Sequence, residues 1–87
     1  MHVDIFDWDE EEFDRGNTRH VLSAGYEPDA IEKAIRGYLG PVGSARRSGR
    51  AMIVVEIDGE PTRIIFEVDA DDHLIIVTPV TAFPAEG

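Results

Sequence analysis

The stretch AMIVVEIDGEPTRIIFEVDADDHLIIVTPV, residues 51–80, determines the predicted fold class because it contains three runs rich in β-branched side chains. The runs cover residues 51–57, 62–68 and 73–80, and DGEP (58–61) and DADD (69–72) separate them. β-Branched residues favour strands, whereas Gly, Pro and Asp favour turns. Short links join adjacent antiparallel strands, so the stretch predicts an antiparallel meander of three to four strands.

The alternation of side chains assigns the meander two faces. The covered face is predicted to comprise Ile64, Phe66 and Val68 from the second run with Leu74, Ile76 and Val80 from the third. The opposite face is predicted to carry Arg63, Ile65 and Glu67.

Two helices are predicted before the meander. The clearer one covers residues 28–39, because Pro28 suits a first helical position and apolar side chains follow at spacings of three and four. Those side chains are Ile31, Ala34, Ile35, Tyr38 and Leu39, and Gly40-Pro41 ends the helix. The segment 41–50 is predicted to be either a basic loop or a short edge strand.

The N-terminal part predicts a short strand and then a helix. Val3, Ile5 and Trp8 alternate with polar residues, which favours a strand. Asp9 followed by Glu12 is a helix-start pattern, so a helix is predicted over residues 10–23, with Gly25 after its end. Its apolar and amphipathic positions are Phe13, Asn17, His20, Val21 and Ala24.

The order strand, helix, helix and meander predicts a single two-layer α+β domain over residues 1–87. With 87 residues and no cysteine, the chain has no disulfide, thiolate metal site or cysteine nucleophile. Its apolar runs are too short to cross a bilayer and its first residues are acidic, so we expect a cytoplasmic protein without a membrane partner.

The charge is strongly acidic and unevenly distributed. The formal net charge is −10, with most of the basic side chains in residues 15–50 and acids dominating both flanks. Such a chain repels phosphate backbones as a whole, but a local group of arginines can still bind a phosphate. Net charge therefore lowers the expectation of nucleic-acid binding without excluding it.

Few residues are arranged for metal or cofactor chemistry. His2, His20 and His73 are scattered, and the glycines at 40, 43 and 49 do not form a phosphate-binding turn between a strand and a helix. The serines lack the setting of a hydrolase nucleophile. We therefore expect no metal site and no cofactor.

The segment Asn17-Thr18-Arg19-His20, together with the arginines downstream, is the best candidate for catalysis. An imidazole can exchange protons near neutral pH, and guanidinium groups can stabilise a phosphoryl transition state. These are the groups of a metal-independent ribonuclease. The candidate catalytic residues are His20, Arg19 and Arg63, and the candidate substrate-binding residues are Arg46, Arg47 and Arg50. The alternative is that His20 packs on its helix and the arginines are solvated surface charges.

Several short motifs resemble a known family. Phe6-Asp7-Trp8-Asp9 precedes a helix, Asn17-x-Arg19-His20 follows, and Gly25-Tyr26-Glu27-Pro28 opens a second helix before three strands. This order resembles the BrnT-type toxins of the RelE superfamily, with Arg19 where the family usually has lysine. The resemblance implies a small α+β fold, ribonuclease activity that arrests translation, and a cognate antitoxin as partner.

Three functions stay open from the sequence. The chain is a toxin-like endoribonuclease acting on RNA, a non-catalytic protein-binding module of the same fold, or an acidic interaction protein whose carboxylates imitate nucleic acid. The sequence does not decide among them, and it gives neither the RNA target nor the oligomeric state.

Overall fold

A computed structural model describes residues 1–45 and 49–85. In chain order the elements are β1 (Ile5–Phe6), α1 (Asn17–Ser23), α2 (Pro28–Gly37), β2 (Gly43–Ser44), β3 (Ala51–Ile57), β4 (Glu60–Asp71) and β5 (Leu74–Pro84). The strands form one sheet in the order β1-β5-β4-β3-β2. The chain is thus a small α+β domain with two helices and a five-stranded mixed sheet.

The predicted meander is confirmed, and one strand extends it on each side. β3, β4 and β5 pair antiparallel in chain order, and the short β2 adds to β3 at one edge. β1 adds to β5 at the other edge, but it runs parallel, with Ile5 opposite Ile76. The edge strand at Gly43–Ser44 is one of the two alternatives that the sequence left open for this segment.

Two-residue turns join the three long strands. Asp58 and Gly59 link β3 to β4 with φ values of 53° and 79°, and Asp72 and His73 link β4 to β5 with 50° and 72°. Positive φ at both central residues matches the twist of antiparallel strands. Glu60 and Pro61 therefore belong to β4, although their composition suggested a longer turn.

The register of β5 differs from the predicted one. Val68 lies opposite Val77, and an irregularity between Ile65 and Phe66 shifts the pairing by one residue at Val80. The covered face of β5 therefore carries Ile75, Val77, Pro79 and Ala82. The assignment of Leu74, Ile76 and Val80 to this face was wrong, because the short turn sets the opposite parity.

Helix α2 packs by its apolar side chains as predicted, but it ends earlier. Ile31 and Ile35 are fully buried against Ile53, Ile64 and Phe66 of the sheet. The helix ends at Gly37, because Tyr38 adopts an extended conformation with ψ of 128°. Leu39 is consequently 95% exposed, so its assignment to the buried face was wrong.

Helix α1 is shorter than the predicted helix over residues 10–23. It begins at Asn17, after Gly16, and residues 10–16 form turns and bends. Asp9 does act at a helix start, but its carboxylate accepts the N–H of Asn17 at 3.0 Å instead of an amide directly after it. Phe13 is exposed for this reason. Gly25, with φ of 94°, closes the helix as predicted.

The first strand is also shorter than predicted. Val3 is buried whereas Ile5 is 44% exposed, so the two side chains do not share a face. Asp4 interrupts the alternation: its backbone N–H donates to the carbonyl of Ile75, and its carboxylate accepts the N–H of Ile75 at 2.7 Å. Regular pairing with β5 starts only after this contact.

Candidate functional site

A cleft of about 400 Å³ lies between the start of α1 and the uncovered side of the sheet. Its lining comprises Asp9, Arg15, Gly16, Asn17, His20, Arg50, Glu67, Thr78, Pro79, Val80 and Thr81. Two of the residues predicted from the sequence, His20 and Arg50, are brought together here although they are thirty positions apart in the chain. The fold thus joins a candidate proton-transfer group and a candidate phosphate-binding group in one concave surface.

His20 reaches the cleft from the exposed side of α1. Its Nε2 lies 2.9 Å from the hydroxyl oxygen of Thr81 on β5. A hydroxyl both donates and accepts, so Thr81 can hold the ring whether or not Nε2 carries a proton. The contact therefore orients the imidazole towards the cleft in either tautomer.

Arg50 and Glu67 form an ion pair on the other wall. Arg50 Nε donates to Glu67 Oε1 at 2.9 Å, and the side chains are 40% and 49% exposed. The β3–β4 register accounts for the contact, because Ala51 lies opposite Phe66 and Arg50 and Glu67 directly flank these two residues in the chain. An ion pair this exposed contributes less than about 1 kcal/mol, so an incoming phosphate can compete with Glu67 for Arg50.

Asn17 builds the cleft wall by joining three segments. Its side-chain oxygen accepts the N–H of Asp9 at 2.8 Å, and its Nδ2 donates to the carbonyls of Asp7 at 3.0 Å and Pro79 at 2.7 Å. With these bonds both Nδ2 hydrogens are used. Asn17 therefore positions α1, and with it His20, beside β5.

Trp8 and Asp9, which carry the family resemblance with Asn17, also belong to the framework. Trp8 Nε1 donates to Glu32 Oε2 at 2.7 Å, which fastens the N-terminal segment to α2. Gly16 is buried against Asp9, and a Cβ at this glycine would lie 2.6 Å from the Asp9 Cβ. The motif residues thus stabilise the start of α1, the helix that carries His20.

The other arginines proposed for the site lie elsewhere or outside the described residues. Arg19 Nε donates to the carbonyl of Glu11 at 3.2 Å, away from the cleft lining. Arg63 lies nearer the start of β4 than Glu67 does, and its guanidinium is 6.0 Å from the centre of the Phe83 ring. Its buried Nε has no hydrogen-bond partner in the described part of the chain. Arg46 and Arg47 fall outside the described residues.

Sequence reasoning missed Glu67, Arg15, Thr78 and Thr81 as cleft residues. Glu67 was placed correctly on the uncovered face of β4, and that placement was the available signal, because Arg50 directly precedes the neighbouring strand β3. The threonines had no such signal. The pairing that continues from the Asp72–His73 turn places Thr78, and the irregularity at Val80 places Thr81; the alternation pattern reveals neither.

Asp4, which lies outside the cleft, has a perturbed pKa. The pKa of Asp4 is lowered, first because the backbone N–H of Ile75 donates to its carboxylate, and also because His2 lies nearby. Within residues 1–45 and 49–85, no group of three or more His, Asp or Glu side chains is arranged to hold a metal ion. The helices of those residues include none long and apolar enough to span a membrane.

Comparison with known proteins does not assign a family. No family model, curated protein or solved structure matches this chain.

Proposed function

We propose that the chain is a BrnT-like, metal-independent endoribonuclease domain whose active site is the cleft that contains His20. The observation that carries the proposal is that His20, Arg50 and Glu67 line one cleft. Together they supply two groups able to exchange protons and one permanent cation.

The reaction that fits these groups is attack of an RNA 2′-hydroxyl on the adjacent phosphorus. The new P–O2′ bond forms as the P–O5′ bond breaks, which gives a 2′,3′-cyclic phosphate and a 5′-hydroxyl. One protein group must accept the 2′ proton and another must donate a proton to the departing 5′ oxygen. Glu67, which is a carboxylate in its ion pair with Arg50, fits the accepting role, and His20 in its protonated form fits the donating role.

Arg50 holds the phosphate in this proposal. Its guanidinium matches the geometry of phosphate oxygens and stabilises the charge that develops during attack. When the phosphate binds Arg50, the Glu67 carboxylate is released from its ion pair and can accept a proton. Arg15, on the opposite wall, supplies a second positive charge.

The acidic surface is expected to lower the affinity for RNA more than it lowers the rate of the cleavage step. A net charge of −10 repels RNA at long range, so binding is expected to be weak and to weaken steeply with added salt.

The test is cleavage of single-stranded RNA by the purified chain in the presence of EDTA. His20→Ala is expected to slow cleavage by about 10²–10⁴-fold, the usual contribution of one proton-transfer group. His2→Ala is the matched control, because His2 is an exposed histidine outside the cleft. Equal rates for His20→Ala and the parent, or loss of activity with EDTA, would contradict the proposal.

A non-catalytic protein-binding module is the second candidate. It is favoured by a stretch of β3, on the side of the sheet away from β1, that pairs with no strand of the described residues. Under either function we propose an antitoxin as the partner, because the family resemblance implies one.

A further inference from the structure

The outer edge of β3 has backbone groups free to pair with another strand. Among the described residues, β2 is the strand beside this edge, and it pairs only with Ala51 and Met52. The two-residue turn makes Ile57 and Glu60 a hydrogen-bonded pair, so Val55 and Ile53 also bond to β4. The N–H and C=O groups of Val54 and Glu56 therefore point away from β4, towards the open edge.

A groove runs beside this edge and is bounded by α2. One part, of about 350 Å³, is lined by Ala30, Lys33, Ala34, Gly37, Val55, Glu56, Ile57 and Asp58. A second part, of about 390 Å³, shares Ala30, Ile57 and Asp58 with it and extends to Tyr26 and Pro84. The helix presents small residues to the groove at 30, 34 and 37, one stripe of its surface, which leaves room for side chains from an added strand.

The outer edge of β3 and the groove beside α2 are complementary in the way that strand addition requires. A strand beside Val54 and Glu56 would gain main-chain hydrogen bonds, and its alternate side chains would enter the groove next to Val55 and Ile57. Both of these apolar side chains are partly exposed at present. Burial of their remaining apolar surface would add to the hydrogen bonds.

The charges of the groove select the chemistry of the occupant. Its acids are Glu27, Glu56, Asp58 and Glu60, against the single base Lys33. In the part of the chain that the structure describes, the ion pairs are His2 with Asp4 and Arg50 with Glu67, so none of these four acids is paired. Two copies of this chain, each with a net charge of −10, would repel one another at this edge.

We propose that the β3 edge and the α2 groove bind an extended, basic segment of a partner protein as an additional strand of the sheet. The segment alternates apolar side chains, which enter the groove, with Lys or Arg side chains, which project on the same face of the sheet as the Glu56 carboxylate. This site lies apart from the His20 cleft and shares no lining residue with it. The inference therefore stands whether or not the chain cleaves RNA.

The test uses a peptide of about ten residues that alternates Val and Lys, a length typical of a strand. We expect saturable binding that weakens with added salt, and slower hydrogen exchange of the Val54 and Glu56 amides in the complex. A peptide of the same length that alternates Val and Glu is expected not to bind.

Variants of the chain locate the binding. Ala34→Phe fills the groove and is expected to weaken binding by about tenfold or more, whereas Ala70→Phe adds the same ring at an exposed position of β4 outside the groove. Glu56→Pro removes the outward N–H without removing a β3–β4 bond, so it gives a second test if Ala34→Phe fails to fold.

Three results would overturn the inference: no binding of the Val-Lys peptide to the parent chain, binding that Ala34→Phe and Glu56→Pro both leave unchanged, or protection of amides only outside β3. Concentration-dependent dimerisation through Val54 and Glu56 would also overturn it, because the edge would then belong to a second copy.

Discussion

The N-terminal region, residues 1–24, and helix α2 are attached to the same sheet by different forces. Helix α2 is held by Ile31 and Ile35, both fully buried in the core. The N-terminal region contributes Val3 and Val21 to the interior, but its path is set by polar contacts from Asp4, Asp9 and Asn17. Apolar burial is non-directional, whereas each hydrogen bond fixes a distance and an angle.

Directional polar contacts set the position of the residues that line the cleft. A helix that packs by apolar area can shift slightly and keep most of its stability, but His20 has to lie within hydrogen-bond distance of Thr81 to face the cleft. The segment that carries His20 is accordingly the one whose attachment is polar and directional. Three substitutions or conditions test this contrast, in order of expected effect.

The largest effect is expected in the apolar attachment. Ile35→Ala removes a fully buried side chain and leaves a cavity, so it should lower the free energy of unfolding by ~2–5 kcal/mol. Chemical denaturation measures the change. Leu39→Ala is the matched control in the same stretch, because Leu39 is 95% exposed and its loss should change stability by less than about 0.5 kcal/mol. Equal effects from the two variants would show that α2 is not held by its apolar face.

A smaller effect on stability is expected in the polar attachment. Asn17→Ala leaves the N–H of Asp9 and the carbonyls of Asp7 and Pro79 without their partner, which should cost about 1–3 kcal/mol. The NMR signals of His20 and Thr81 should shift, because α1 loses its link to β5.

The control for this variant is Asp14→Ala, an exposed position in the same region, which should change stability by less than about 0.5 kcal/mol. If Asn17→Ala also left His20 beside Thr81 and stability unchanged, the polar contacts would not set the position of α1.

The smallest effect is a pH dependence confined to the N-terminal region. The pKa of Asp4 is lowered from its usual value of 3.8 in the folded chain, so its stabilising contribution is present above that value and is lost as pH falls through the lower, folded pKa. A carboxyl titration by NMR should give a midpoint below 3.8. Asp4→Asn, which keeps an oxygen acceptor for Ile75 but does not titrate, should lack this loss. A midpoint at or above the usual value would contradict the contact with Ile75.

The same contrast explains which features could be predicted from the sequence. Ile31 and Ile35 were found because apolar periodicity reports burial, and the β3 bounds 51–57 followed from a run of β-branched residues. The start of α1 was missed because Asp9 bonds to Asn17, eight residues away, and a local pattern does not encode that distance. The parity of β5 was missed because it is set by the two-residue turn at Asp72 and His73, which places Asp71 opposite Leu74.

Only part of the candidate site could be predicted, because residue type can be read from the sequence but strand register cannot. His20 and Arg50 were singled out by residue type, and the structure brings them together. Glu67 and Thr81 acquire their place only through strand register and the shift in β5, which are properties of the folded sheet.

Both ends of the described chain contribute walls to the cleft, and the parallel pairing of β1 with β5 holds these two ends together. Two-residue turns join the strands of the meander, which are neighbours in the sequence. The cleft instead combines distant segments, because one wall comes from residues 9–20 and the other from residues 50–81. A sub-global opening that frees the N-terminal region would dismantle the cleft and leave the meander paired. Because any ligand of the cleft binds only the closed form, its binding free energy is added to the cost of that opening. Occupancy of the cleft and order in residues 1–24 are thus thermodynamically linked.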